Sequence, residues 1–228
     1  MKKIYSLVIL VAMGVMLYFG AEVNAEGTLG NNQNKEIEFM KYANKNHINK
    51  FSNINKYFSL KADMKSKVGK IPEKQIFEVG KNIIITRQEV QLYKKFYDLN
   101  RSGENSESAE EYARERNALY VEAIKNGYSV TEKEIEEYLK ELKTQLKSCL
   151  SDEEYNNICS AYGGESEYWQ YEYEVYQMNL PIQNYVKDIE EEYKKKYDKQ
   201  YSADEIEQMW GNEFERIKEK LVEEQNFS

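Results

Sequence analysis

At 228 residues and a net charge of −8, the chain has the length of one domain or of an elongated two-lobed one. Its charge is uneven: residues 26–101 hold 15 Lys and Arg against 8 Asp and Glu, whereas residues 102–228 hold 15 against 31. An acidic body behind a basic leader argues against a nucleic-acid partner, and a single histidine excludes the usual His-dependent triads.

The first 25 residues read as targeting sequence. Lys2 and Lys3 form a basic start, residues 4–19 are almost unbroken apolar sequence, and Val23-Asn24-Ala25 ends on the small residue a signal peptidase requires. Cleavage after Ala25 is the favoured reading. An uncleaved membrane anchor is the alternative, because an apolar run of about 16 residues falls just short of the roughly 17–25 that span a bilayer. Either way the protein is expected to be exported and to lie outside the cytoplasm, secreted or membrane-associated at the cell envelope. Residues 26–75, rich in Asn and Lys, read as a polar basic lead-in or linker with one short helix at 36–43. Such a segment either rests on anionic lipid or cell wall or is simply solvated, and the second is favoured.

Order is expected from Ile76. Ile76, Phe77 and Val79 precede Gly80-Lys81-Asn82, and Ile83-Ile84-Ile85 follows, which reads as a small hairpin. Helix starts come next. A capping box pairs Ser or Thr with Glu three residues on, each side chain satisfying a free amide of the first turn. The chain has five: Thr86/Glu89, Ser108/Glu111, Thr131/Glu134, Ser151/Glu154 and Ser202/Glu205. Four also carry the apolar staple: Ile85/Val90, Val130/Ile135, Leu150/Tyr155 and Tyr201/Ile206.

Apolar stripes at helical spacing follow these starts. One comprises Ile135, Tyr138, Leu139, Leu142 and Leu146; a second Trp169, Tyr173, Tyr176 and Leu180. A third comprises Ile182, Tyr185, Val186, Ile189 and Tyr193; the last Ile206, Trp210, Ile217 and Leu221, with Phe214 beside them. Gly127 is placed to stop a helix, Gly163-Gly164 to break the chain, and Pro181 to start or kink a helix. These signals predict an all-α protein of about six or seven helices with one small hairpin, folded over residues 76–228.

Chemistry is sparse. His47 stands alone in the lead-in, and two cysteines with one distant histidine make no zinc site. No glycine-rich phosphate loop is present, and paired acids such as Glu136/Glu137 and Glu153/Glu154 read as solvated helix faces. The expectation is a protein without catalytic residues, metal or cofactor. Cys149 and Cys159 would face each other across a short turn, either as a disulfide adding roughly 2–3 kcal/mol or as two thiols. Binding capacity rests on aromatics: 20 Tyr, 8 Phe and 2 Trp. Tyr93, Phe96 and Tyr97 crowd one helix; Tyr168, Trp169, Tyr171, Tyr173 and Tyr176 crowd another. Spacing assigns Trp169, Tyr173 and Tyr176 to the core and turns Tyr168 and Tyr171 elsewhere, leaving aromatic surface to line a groove. The plainer alternative is that Tyr replaces Leu throughout.

One stretch carries a resemblance. Ile85-Thr86-Arg87-Gln88-Glu89-Val90 follows a short strand and a Gly-Lys-Asn turn; Glu122-Ala123, Gly127, Val130 and Thr131-Glu132-Lys133-Glu134 follow in order. This resembles the opening of the SurA/PrsA-type exported chaperone domain, which is trigger-factor-like, over roughly residues 76–200. The resemblance implies an elongated helical domain that holds unfolded or extended segments of secreted proteins, with the peptide-binding residues drawn from the eight aromatics named above. A concave aromatic groove between residues 86–97 and 168–185 would support such a role, and a closed bundle with buried tyrosines would not. Full-length members also carry a parvulin prolyl isomerase domain, and helix signals from Thr86 to Glu224 leave no room for it. The competing expectation is a cell-envelope adaptor that binds one specific partner through its helices. A long dimerising seam is not expected, since apolar spacing breaks near residues 199–204.

Overall fold

The computed structural model describes residues 33–45, 54–100 and 105–228. The apolar N-terminal segment, the cleavage position at Ala25, and His47 lie outside the described residues. Helix α1 spans Gln33–Lys45 and α2 Ile54–Tyr57. Two 3₁₀ turns, Met64–Lys70 and Glu73–Gln75, lead into strands β1 (Ile76–Val79) and β2 (Ile84–Thr86). Six helices follow: α3 (Arg87–Asn100), α4 (Asn105–Lys125), α5 (Glu132–Cys149), α6 (Asp152–Ala161), α7 (Glu165–Tyr197) and α8 (Ala203–Gln225). The fold is all-α apart from this two-stranded antiparallel sheet.

The hairpin forms where its sequence predicts. Ile76 faces Thr86, Glu78 faces Ile85 and Val79 faces Ile84, with a bulge between Ile76 and Glu78. Side-chain alternation divides the triple isoleucine between two cores. Ile83 and Ile85 enter the main cluster, while Ile84 joins Tyr57, Met64, Ile71, Ile76 and Val79 in a smaller one. The C-terminal residues cover the outer edge of β1: Val79 N donates to Ser228 O at 2.9 Å and Ser228 N to Val79 O at 3.2 Å. Lys81 N donates to Gln225 O at 2.7 Å, and the Gln225 side chain accepts from Asn82 N at 3.1 Å. Phe227 lies so close to Gly80 that a Cβ there would stand 2.6 Å from its ring. Gly80→Val is therefore expected to displace Phe227 and lower stability by about 1–3 kcal/mol, as chemical denaturation will measure. An unchanged midpoint would show that the ring turns aside without cost.

The helix starts are set locally. Thr131, Ser151 and Ser202 each form complete capping boxes with Glu134, Glu154 and Glu205. Thr86 caps α3 through its hydroxyl, which accepts from Glu89 N at 3.2 Å. Ser108 lies inside α4, which begins three residues earlier, at Asn105. Gly127 (φ +88°), Gly163 (φ +97°) and Gly164 (φ +145°) take the positive φ values that end α4 and separate α6 from α7.

Two expectations are corrected. First, α7 runs 33 residues without a break at Pro181, so the proline does not start a helix. Leu180, Pro181 and Ile182 are all buried, and their packing outweighs the hydrogen bond that proline cannot donate. Second, the segment read as a linker is, in its described parts, folded onto the body. Phe39, Met40 and Ala43 of α1 are buried in the main core, and Asn44 Nδ2 donates to Tyr162 O at 2.7 Å. Of the two states open to the cysteines, the structure has two thiols: Cys159 is buried among α6 side chains while Cys149 is exposed at the end of α5, so they face different surroundings.

Helix α4 is the axis of the bundle, packed against α3, α7, α8 and β2. Helix α7 joins the remaining layers, touching α4, α5, α6 and α8. Between α7 and α8 the chain turns at residues 198–202, where the apolar spacing breaks.

Candidate functional site

The eight aromatics singled out from the sequence divide sharply. Tyr93, Tyr168, Tyr171 and Tyr176 are core residues, each at most 3% exposed. Tyr97 is half-buried and meets Tyr112 edge-on at 6.4 Å. Phe96 sits on α3, and its side chain is outside the described residues. Trp169 and Tyr173 are half-buried and reach the surface. The expected orientation of α7 is thus reversed for four residues. Tyr168 and Tyr171 point inward, where Tyr162 packs on both at 5.1 and 4.8 Å, while Trp169 and Tyr173 point outward. Helix α7 packs against α4, α5, α6 and α8, so its inner arc is wider than one stripe and rotated from the one that spacing suggests. Between α3 and α7 the structure takes the closed alternative, which does not favour a chaperone groove there: Tyr93, Tyr168, Tyr171 and Tyr176 are core residues and not the lining of a groove.

An open cleft of about 640 Å³ lies on the other side of α7, against α5. Leu139, Trp169 and Tyr173 form its floor; Glu136, Lys140 and Lys143 on α5 and Glu165, Ser166 and Gln170 on α7 form its walls. The two helices run antiparallel here, since Lys143 meets Glu165 at one end and Tyr138 meets Tyr176 at the other.

A chain of hydrogen bonds fixes the floor. Trp169 Nε1 donates to the Tyr155 hydroxyl at 2.9 Å, and that hydroxyl donates to Glu165 Oε1 at 2.6 Å. Lys143 and Lys147 place their ammonium groups 2.9 and 3.3 Å from the same oxygen. Lys143 also stands over the Trp169 ring at 5.7 Å, and Lys147 over the Tyr155 ring at 4.7 Å. The Tyr155 hydroxyl, then Lys143 and Lys147, hold the Glu165 carboxyl down at about 2. Burial, with help from Glu132 and Glu136, pushes the Tyr173 hydroxyl up. Trp169 is thereby a rigid, partly solvated aromatic platform with its polar edge already satisfied. Such a surface favours apolar or aromatic side chains.

Two buried polar features escaped the sequence reading. Arg116, 1% exposed, lies between α3, α4 and α7. Its guanidinium donates to the Tyr93 hydroxyl at 2.9 Å and to Asn179 Oδ1 at 3.1 Å, and stands 3.5 Å from Glu89 Oε1. Asn117 Nδ2 donates to the same Glu89 oxygen at 2.8 Å. Glu89 thus turns Oε1 of its carboxylate into the core. A glutamate three residues after threonine gives no sign of this choice. The cluster is sealed from solvent and acts as a pin between helices.

The second is Glu172, fully buried on α7, with neither oxygen hydrogen-bonded. Burial pushes its carboxyl up to about 8. The Tyr168 hydroxyl opposes this weakly, being near the carboxyl without reaching hydrogen-bonding geometry. The group is therefore held neutral at pH 7. Burial likewise pushes the Cys159 thiol up, which suits a packing residue rather than a nucleophile.

Among the described residues, no cluster of three or more His, Cys, Asp or Glu is placed to hold a metal ion, and no helix is long and apolar enough to cross a membrane. The class that fold and site define is an all-α bundle with a small hairpin and an aromatic-floored surface cleft. Compared with protein-family models, curated proteins and solved structures, the chain finds no match in any of the three.

Proposed function

We propose that the protein is a non-enzymatic, exported holdase-like protein that binds extended segments of secreted or unfolded client proteins in the α5–α7 cleft. The observation that carries this reading is the floor of the cleft, where half-buried Trp169 and Tyr173 reach solvent beside buried Leu139. Burying one client aromatic there removes apolar surface from water on both partners at little cost in side-chain order, because Trp169 is already fixed by Tyr155. The resemblance of residues 76–200 to SurA/PrsA-type domains and the apolar N-terminal segment support the same reading. Client release needs no cofactor, since contacts of this size are reversible.

The modest size of the cleft also favours the second reading, an envelope adaptor that takes one short motif from one partner. Both place the contact on the same residues. An aggregation assay with an unfolded model client tests the first: equimolar protein is expected to suppress light scattering. Trp169→Ala combined with Tyr173→Ala is expected to abolish most of that suppression while the helical circular dichroism stays intact. If the unaltered protein does not suppress aggregation at equimolar ratio, the holdase reading falls. A single stoichiometric partner recovered by pull-down would then favour the adaptor.

A further inference from the structure

We infer that the α5–α7 cleft selects bipolar segments: an aromatic or large apolar residue flanked by an acidic residue on one side and a basic residue on the other. The inference rests on the reading of the cleft as a client site and adds the chemistry of the client. Its basis is the order of charges along α5. Glu132, Glu136, Lys140, Lys143 and Lys147 recur at three- and four-residue spacing and so share one face, running from acidic to basic. Glu136, Lys140 and Lys143 line the cleft directly, and Glu132 acts with Glu136 on the Tyr173 hydroxyl.

Neighbouring charges do not cancel this gradient. Lys133 is paired along the helix with Glu137 at 3.5 Å. At the basic end, the Lys143 and Lys147 ammonium groups share one Glu165 oxygen, which also accepts from Tyr155, and Lys140 lines the cleft beside them. One end therefore carries excess positive charge and the other excess negative charge, with the Trp169–Tyr173 platform between them. From Glu136 to Lys143 is about 10 Å along a helix axis. An extended peptide covers that distance in about three residues. A client acid and base three or four positions apart, with an aromatic between them, would match both ends at once. A uniformly acidic or uniformly basic segment would meet one favourable and one repulsive end.

Isothermal titration of the full chain with three capped peptides tests this: Asp-Ala-Phe-Ala-Lys, Asp-Ala-Phe-Ala-Asp and Lys-Ala-Phe-Ala-Lys. The bipolar peptide is expected to bind about three- to tenfold more tightly than either of the others, a margin set by solvent-exposed charge pairs and lost in high salt. Glu132→Lys combined with Glu136→Lys alters only exposed positions and is expected to shift the preference to the diacidic peptide. Equal binding of all three peptides overturns the charge selection and leaves the aromatic site standing. Binding of none, even at millimolar concentration, overturns both. A bipolar preference that survives Trp169→Ala unchanged places the selecting surface elsewhere and also overturns the inference.

Discussion

Arg116→Ala is expected to destabilise the fold by about 3–5 kcal/mol, the usual cost of removing one partner from a buried charged cluster. Glu89 is fully buried, and the Arg116 guanidinium faces it at 3.5 Å. The substitution leaves that carboxylate in a medium that solvates it poorly, removes a donor from Asn179 Oδ1 and from the Tyr93 hydroxyl, and opens a cavity beside Met178. Because α3, α4 and α7 all contribute, the loss is expected to be global and to appear as a lower urea midpoint without a change in slope. Arg116→Met combined with Glu89→Leu should cost less than Arg116→Ala alone, since it removes both charges together. A loss below about 1 kcal/mol for Arg116→Ala would mean that water reaches the cluster and the pin is not one.

Glu172→Gln is expected to act in the opposite direction. The folded carboxyl is raised to about 8 from an ordinary value of 4.5. Between those two pH values the folded chain keeps a proton that the unfolded chain has released. Stability contributed by this site is therefore greatest below pH 4.5 and is lost progressively as pH rises towards 8. The slope approaches 1.4 kcal/mol per pH unit, for a total of about 3–5 kcal/mol. Tyr162, Tyr168, Tyr171 and Tyr176 surround the group, and burial raises all four hydroxyls, so none titrates in that window. Glu165 is shifted the other way, and its contribution is lost only below pH 4.5. Urea denaturation at pH 5, 7 and 9 will separate the two. Glu172→Gln should flatten the profile and be the more stable protein at pH 9. Parallel profiles for both proteins would rule out a buried neutral carboxyl.

Which features were legible in the sequence follows from how local their causes are. The hairpin, three capping boxes and the glycine stops depend on residues within a few positions of one another, and the sequence displays them directly. The facing of α7 depends on how many helices surround it. Spacing therefore placed Trp169 and Tyr173 inside and Tyr168 and Tyr171 outside, the reverse of the structure. Glu89, Arg116 and Glu172 are residue types that mark solvent-facing positions when read alone, so their burial had no sequence signal. The apolar trio of α1 was hidden by the Asn and Lys around it. For the cleft, spacing turns Trp169 and Tyr173 to the core where the structure turns them to the surface, and Glu136 reads only as part of a solvated face.

The pairing of hairpin and tail has a consequence for the order of folding. Asn82 meets Gln225 across 143 positions of sequence. A chain made from its N-terminus presents the β1 edge long before the residues that seal it, and closing so large a loop is slow compared with winding the capped helices. The helices are therefore expected to form first and the clasp last, leaving the hairpin edge open as a late and reversible point of weakness in the newly made protein.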